Sequence, residues 1–243
     1  MAELDQAATR KRQAWTSRQG AGRYIARMGR YALLRDEQVV SDMLGQGGGR
    51  LLDMPCGTGR FLELEKQRGF AVTAADYSQA MLAEARGRGD AQFVQADVFD
   101  PPFQPASFDV ILCCRLMFHY AQPEVIIRRL LPALRPGGRM IFDTLNPFSS
   151  RWLASQTLRP VRRDHARRLY FQPHRRMRRT LSRCGLQLLE RRSLYILPTR
   201  LYRYLPMPVC RALGMLEKAV PPALRVLTYW HVRLAEDRPV CPA

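Results

Sequence analysis

The feature that most constrains this chain is a run of buried-strand residues that breaks into a glycine loop and then into a helix. Arg50-Leu-Leu-Asp-Met-Pro reads as the strand, Cys56-Gly-Thr-Gly as the loop, and 60–68 as the helix, stopped by Gly69. Glycines between a strand and a helix let the backbone pass close to a ligand, because no Cβ stands in the way. The alternation continues downstream. Residues 70–75 read as a second strand ending on Asp76, and 78–88 as a helix with Ser78 as its N-cap. Short strands are expected over 91–95 and 108–114. Residues 123–134 predict a helix with Pro123 at its start and Pro136-Gly-Gly beyond its end. A fifth strand follows over 139–144. Strands and helices at this spacing predict an α/β fold, a doubly wound and mostly parallel sheet.

Outside this core the pattern is looser. A helix over 31–44, ended by Gly47-Gly-Gly, precedes the first strand. Beyond residue 150 we expect a helix near 173–184, a strand over 186–195, an irregular Pro-, Tyr- and Arg-rich stretch, a helix near 208–219 and a last strand over Leu227–Leu234. On the 208–219 helix, Val209, Leu213, Leu216 and Val220 are expected to share one face, and Arg211, Gly214 and Lys218 another. The chain therefore divides into an N-terminal helical segment (1–45), a ligand-binding core (46–150), and a remainder (151–243) that completes the sheet and carries a basic, substrate-facing lid at about 196–225.

A dinucleotide fingerprint would need a third glycine three residues after Gly59, where Leu62 stands. Asp53, at the strand end before the loop, suits an ammonium on the ligand and would repel a pyrophosphate. Asp76 follows Asp53 by 23 residues and ends the second strand. A carboxylate there can accept two hydrogen bonds from a ribose diol, and Tyr77 beside it can lie against an adenine. Ala96-Asp97-Val98 follows the third strand, where Asp97 can accept from an adenine amino group. Any one of these acids alone could be a solvated loop residue. Together they lie in chain order on one sheet edge beside Cys56, Gly57 and Gly59.

These stretches resemble the class I S-adenosylmethionine-dependent methyltransferases, of the small-molecule type that includes the ubiquinone and menaquinone methyltransferases. The resemblance covers 51–61, 72–85, 93–100, 108–120 and 130–144, including Leu134-Arg-Pro-Gly-Gly-Arg, with a weaker echo over 171–191. It implies a seven-stranded sheet whose last strand is antiparallel, with S-adenosylmethionine as the cofactor. It implies that Asp53 and Gly57 hold the methionine part, Asp76 the ribose and Asp97 the adenine. Pro55 departs from the family, which has glycine there; proline removes an N–H from the loop. Asp100-Pro-Pro-Phe resembles the motif with which amino methyltransferases grip a target nitrogen, but it precedes the fourth strand instead of following it. Where that motif belongs stand Cys113-Cys-Arg-Leu-Met-Phe-His-Tyr. His119 there is a base for a phenol or carboxyl acceptor, or a residue holding the helix that follows. Tyr24 and Tyr120 are candidate acceptor-orienting groups.

Composition bears on the partners. The 243 residues are 47% hydrophobic and 25% charged, enough for a packed core and against wholesale disorder. No run approaches the roughly 18 apolar residues of a membrane span, and Met1-Ala-Glu-Leu-Asp does not read as a signal peptide. The six cysteines (56, 113, 114, 184, 210, 241) show no C-x-x-C, so reduced thiols in a cytoplasm are expected, with no metal framework. The net charge of +18 is unevenly spread: residues 1–150 carry 19 basic and 16 acidic side chains, whereas 151–243 carry 20 and 5. Only three of the 39 cations are lysine, which points partly to composition. Three readings of the basic half stay open: a lid docking on an anionic membrane to admit a lipid-like or aromatic acceptor, a solvated arginine face, or an RNA-binding surface. A non-catalytic S-adenosylmethionine-binding protein is a further alternative.

Overall fold

A computed structural model describes residues 29–157 and 169–235. The sheet has seven strands: β1 (Arg50–Asp53), β2 (Ala71–Asp76), β3 (Gln92–Gln95), β4 (Phe108–Cys113), β5 (Leu134–Leu145), β6 (Leu186–Leu194) and β7 (Leu227–Leu234). Their spatial order is β3-β2-β1-β4-β5-β7-β6. The first five are parallel, and β7 runs antiparallel to both β5 and β6. The helices are α1 (Arg30–Leu44), α2 (Leu62–Gln67), α3 (Gln79–Arg86), α4 (Pro123–Leu130), α5 (Ser150–Thr157), α6 (His174–Arg183) and α7 (Met207–Leu216).

Successive strand residues point to opposite faces, and the core divides accordingly. Leu51, Val110, Leu112 and Ile141 face α1, packing with Val39, Val40, Met43 and Leu44. Leu52, Ile111, Phe142 and Val232 face the other way, against Ile126, Ile127 and Leu130 of α4 and Met177 and Leu181 of α6. Buried on both faces, these strands read as continuous apolar runs. Ser78 caps α3, its hydroxyl accepting the Met81 N–H at 3.3 Å.

Two expectations need correction. The fourth helix ends at Leu130; residues Leu131–Ala133 tighten into a 3-10 turn, and Leu134-Arg-Pro-Gly-Gly-Arg belongs to β5. Proline at 132 and the 3-10 turn close the helix early, and β5 takes up the surplus in a register shift opposite Phe108 and Val110. The four residues expected to share a face over 208–219 are also not alike: Val220 lies beyond α7, and the other three differ in exposure. Cys210 and the following Glu217 are buried, Met207 and Leu213 half-buried, while Val209, Met215 and Leu216 are exposed. Glu217 goes inward because its charge is matched: it accepts the Tyr195 N–H at 3.0 Å and pairs with Arg35 at 3.4 Å. Gly214, expected among cations, lies against α1 so closely that a Cβ would meet Tyr31 Oη at 2.0 Å. Segment 196–225 thus packs on α1, with Tyr31 stacked on Tyr202 at 5.4 Å.

A polar knot ties the late elements together. Thr228 Oγ1 meets Asn146 Oδ1 (3.0 Å) and Ser193 Oγ (2.8 Å), while Asn146 Nδ2 donates to the Pro222 and Arg225 carbonyls. The five described cysteines are buried and free; Cys241 lies outside the described residues. No described helix is long and apolar enough to cross a membrane.

Candidate active site

The order β3-β2-β1-β4-β5 reverses direction at β1, and in open α/β sheets ligands bind at the carboxyl ends of the strands beside such a switch point. A cavity lies there, lined from the loops after β1 through β4. It gathers Cys56, Gly57, Asp76, Tyr77, Asp97, Val98, His119 and Tyr120 from the expected set. Met54, Phe61, Met81, Ala96 and Leu116 add apolar wall.

The glycine loop is built around Asp76. Its Oδ2 accepts the Gly57 N–H at 2.9 Å and its Oδ1 the Ser78 N–H at 2.8 Å, so the carboxylate locks the β1 loop to the start of α3. Burial raises the Asp76 pKa, and those two N–H groups oppose the rise. Gly57 has φ +55°, and a Cβ there would meet nothing within 4 Å, so this stretch of backbone is bare. The Met54–Pro55 bond is cis, and the Cys56 N–H donates to Ala75 O at 2.8 Å. Asp97 Oδ1 accepts the Phe99 N–H at 3.0 Å. Tyr120 is buried edge-on against Phe99, and His119 closes a 3-10 turn with its ring against Phe118.

Two expected residues do not line the cavity. Gly59 faces α2 and α3, where a Cβ would lie 2.7 Å from Leu62 and 3.0 Å from Ala85. Its place is explained by helix packing. Asp53 sits at the end of β1, 1% exposed, with Oδ2 unpartnered. Burial and the neighbouring Asp76 raise its pKa well above the usual carboxylate range, against the pull of Arg60. Tyr24 lies outside the described residues. No residue of 196–225 lines the cavity. Asp100-Pro-Pro-Phe is a connection before β4, with Phe103 edge-on to Phe108.

The sequence reading missed a charged wall. Arg60 and Arg115 both line the cavity and both reach Asp36, which is fully buried on α1 (Arg60 Nη2 at 2.9 Å). Tyr195 Oη donates to the same carboxylate at 2.7 Å. Arg115, at φ +64°, donates its backbone N–H to Asp143 Oδ1 at 2.7 Å. Burial pushes Asp143 up to about 6, with Arg115 opposing. The only local signals were Arg60 directly after the glycine loop and Arg115 directly after β4.

Glu65 was missed too. It is fully buried on α2, and neither carboxyl oxygen has a partner. Burial, and secondarily Asp53, raise its pKa well above the usual range. A raised carboxyl pKa lets the native state bind more protons than the unfolded chain, so its contribution to stability falls as pH rises toward the folded value. Glu65→Gln is therefore expected to stabilise the protein by about 1–3 kcal/mol near pH 8, and by much less in acid. Urea denaturation at the two pH values checks this; a variant that loses stability near pH 8 contradicts it.

A family model described as "Methyltransferase domain" matches residues 52–142. A ubiquinone biosynthesis O-methyltransferase of Idiomarina loihiensis is 36% identical over 116 residues, 45% of this chain and 47% of the relative. A second, from Xylella fastidiosa, is 32% identical over 136 residues, 54% of each chain. The chain thus spans about half the length of these curated relatives. Among solved structures, magnesium protoporphyrin IX methyltransferase of Synechocystis with bound SAH superposes with TM-score 0.67 at 15% identity, covering 94% of this chain and 100% of that one. A Mesorhizobium loti S-adenosylmethionine-dependent methyltransferase gives 0.61 at 19%, covering 81% and 96%. At these identities the structures establish the fold, and the domain match is confined to residues 52–142. Residues 52–142 thus match a methyltransferase domain, are similar in sequence to ubiquinone O-methyltransferases, and lie in a sheet with the fold of the S-adenosylmethionine-dependent methyltransferases.

Proposed function

We propose that the protein moves the methyl group of S-adenosylmethionine to a small, apolar, lipid-like or aromatic acceptor. The observation that supports this most is the single cavity that joins Asp76, Asp97 and the bare Gly57 backbone to His119 and Tyr120. The residues suit the cofactor. An ionised carboxylate offers about four lone-pair sites; Asp76 spends two on the Gly57 and Ser78 N–H groups and keeps two for a ribose diol. Asp53, buried at the end of β1 just before the loop, has an unpartnered oxygen; a positive methionine end brought near it would favour its ionised form against the burial that raises its pKa. Cys56, Gly57 and Val98 shape the pocket, Asp97 takes the adenine amino group, and Tyr77 lies against the ring.

S-adenosylmethionine supplies a methyl group on a sulfonium, a good leaving group. The protein then has to place the acceptor about 3 Å from that carbon in line with the breaking bond, which prepays orientation entropy. Tyr120 orients the acceptor, and His119 takes its proton. His119→Gln is expected to lower turnover by about 10²–10⁴-fold on an acceptor that must lose a proton, with cofactor affinity unchanged. An undiminished rate would assign His119 to holding the 3-10 turn alone.

The supply of such an acceptor explains the outer side of 196–225. Tyr204 (72% exposed), Met215 (69%) and Leu216 (57%) stand among exposed Arg203, Arg211 and Lys218. Apolar area with interleaved cations suits an anionic membrane surface, at about 1 kcal/mol per cation. Incubation with labelled donor and host extract, then partitioning, tests the acceptor class. Label in the organic phase is expected; label confined to RNA or protein overturns the reading.

A further inference from the structure

A second cleft lies away from the cofactor cavity, between α6 and the edge strand β6. His174, Arg175, Arg178, Arg179, Ser182 and Arg191 line it, and among the described residues no acidic side chain does. Residues 175, 178, 179 and 182 are spaced i, i+3, i+4 and i+7, so they share one face of α6 and look toward Arg191 across the cleft.

Six arginines elsewhere in the protein are matched by acids. Arg35, Arg60, Arg115, Arg128, Arg135 and Arg192 each meet a carboxylate. Arg192 pairs with Asp42 and Glu190, whereas Arg191 beside it faces Arg178. Like charges at these helical spacings are destabilising, and no acid among the described lining residues offsets them here. The cleft is also preformed. Arg191 lies over the buried Trp230 ring at 5.9 Å, and His174 packs edge-on to the same ring. His174 Nε2 is held by Asn146 Oδ1 and Thr228 Oγ1, both at 2.9 Å. Burial and Arg191 keep this imidazole neutral, at about 4, so the positive charge is that of the arginines.

We infer that this cleft is a binding site for a phosphoryl anion. Guanidinium forks match phosphate oxygens two at a time, and several around one concavity suit a compact, multiply charged group. Single-stranded nucleic acid would want exposed rings for stacking; the exposed Tyr77, Phe148 and Tyr204 are not among the lining residues. The inference is independent of the methyl-transfer reading.

Calorimetric titration of the full chain with pyrophosphate at constant ionic strength tests it. One-to-one saturable binding is expected, weakened at least about tenfold in Arg178→Ala/Arg191→Ala. Arg178→Glu/Arg179→Glu, changing only exposed side chains, should do the same while leaving the melting curve intact. Arg176→Ala/Arg183→Ala removes equal charge from the same helix outside the cleft and should change affinity by less than about twofold. A parallel arm uses phosphatidylcholine vesicles carrying phosphatidylglycerol. Vesicle binding without pyrophosphate binding, lost in the cleft variants alone, would place the phosphoryl group on a lipid headgroup. The inference is overturned if neither probe binds, or if control and cleft variants lose binding equally. S-adenosylmethionine affinity should be unchanged throughout, so failure here leaves the cofactor site standing.

Discussion

Asp76→Ala is expected to weaken S-adenosylmethionine binding by about 10²–10⁴-fold, the loss of two charge-assisted hydrogen bonds at roughly 1.5–3 kcal/mol each. The carboxylate has two tasks, which the substitution removes together. It accepts from Gly57 and Ser78 N–H, holding the β1 loop in position, and in the proposed cofactor site its remaining lone pairs serve the ribose. Asp76→Asn separates the tasks. An amide oxygen can still accept from one N–H, but the NH2 group donates where a diol needs an acceptor. Its fold should therefore survive better than its affinity. Calorimetric titration with the cofactor, beside thermal melting, reads both. Affinity within about threefold of the wild type in both variants would remove Asp76 from the cofactor site.

The second large effect is on stability. Asp36→Ala should cost about 3–5 kcal/mol, the usual result of breaking a buried ion pair by removing one partner. Two guanidiniums, Arg60 and Arg115, would lose their shared carboxylate, and Tyr195 Oη its acceptor. Burial opposes ionisation of Asp36, yet Arg115 and Arg60, with the Tyr195 hydroxyl, hold its pKa below the ordinary value. A depressed carboxyl pKa contributes stability that is present above the unfolded value and lost as pH falls through the folded one. The gap between wild type and variant should accordingly be full at neutral pH and narrow in strong acid. Urea denaturation across that range checks it; a gap under about 1 kcal/mol at pH 7 would mean that the arginines find other partners.

What the sequence disclosed and what it hid follow from how far apart the interacting residues are. The sheet and most of the edge that lines the cavity were legible because the signals are local. Apolar runs, Gly57, the Ser78 cap and acids closing successive strands each lie within a few residues of the structure they create. Asp53 and Gly59 belong to the same motif but do not line the cavity, one buried at the end of β1 and the other packed against Leu62 and Ala85, a distinction that spacing does not encode. The Asp36–Arg60–Arg115–Tyr195 cluster was invisible for the opposite reason. Its members come from α1, the glycine loop, the end of β4 and the end of β6, and no short window contains two of them. Glu217 shows how polarity misleads in the same way. It reads as a surface residue until Arg35 and the Tyr195 N–H are brought to it from elsewhere.

The anchoring of α1 also sets an order of events in synthesis. The helix leaves the ribosome before every other described element, yet its buried acid waits for Tyr195, 159 residues on, and its Arg35 for Glu217, 182 residues on. Contacts of such separation close late, after the loops between them have been ordered. A nascent chain that ends at β5 already carries Asp36, Arg60 and Arg115, but lacks the Tyr195 phenol and the α7 surface that cover α1. Until then this face of the helix stays open to chaperones or to other nascent chains, and segment 195–217 completes it.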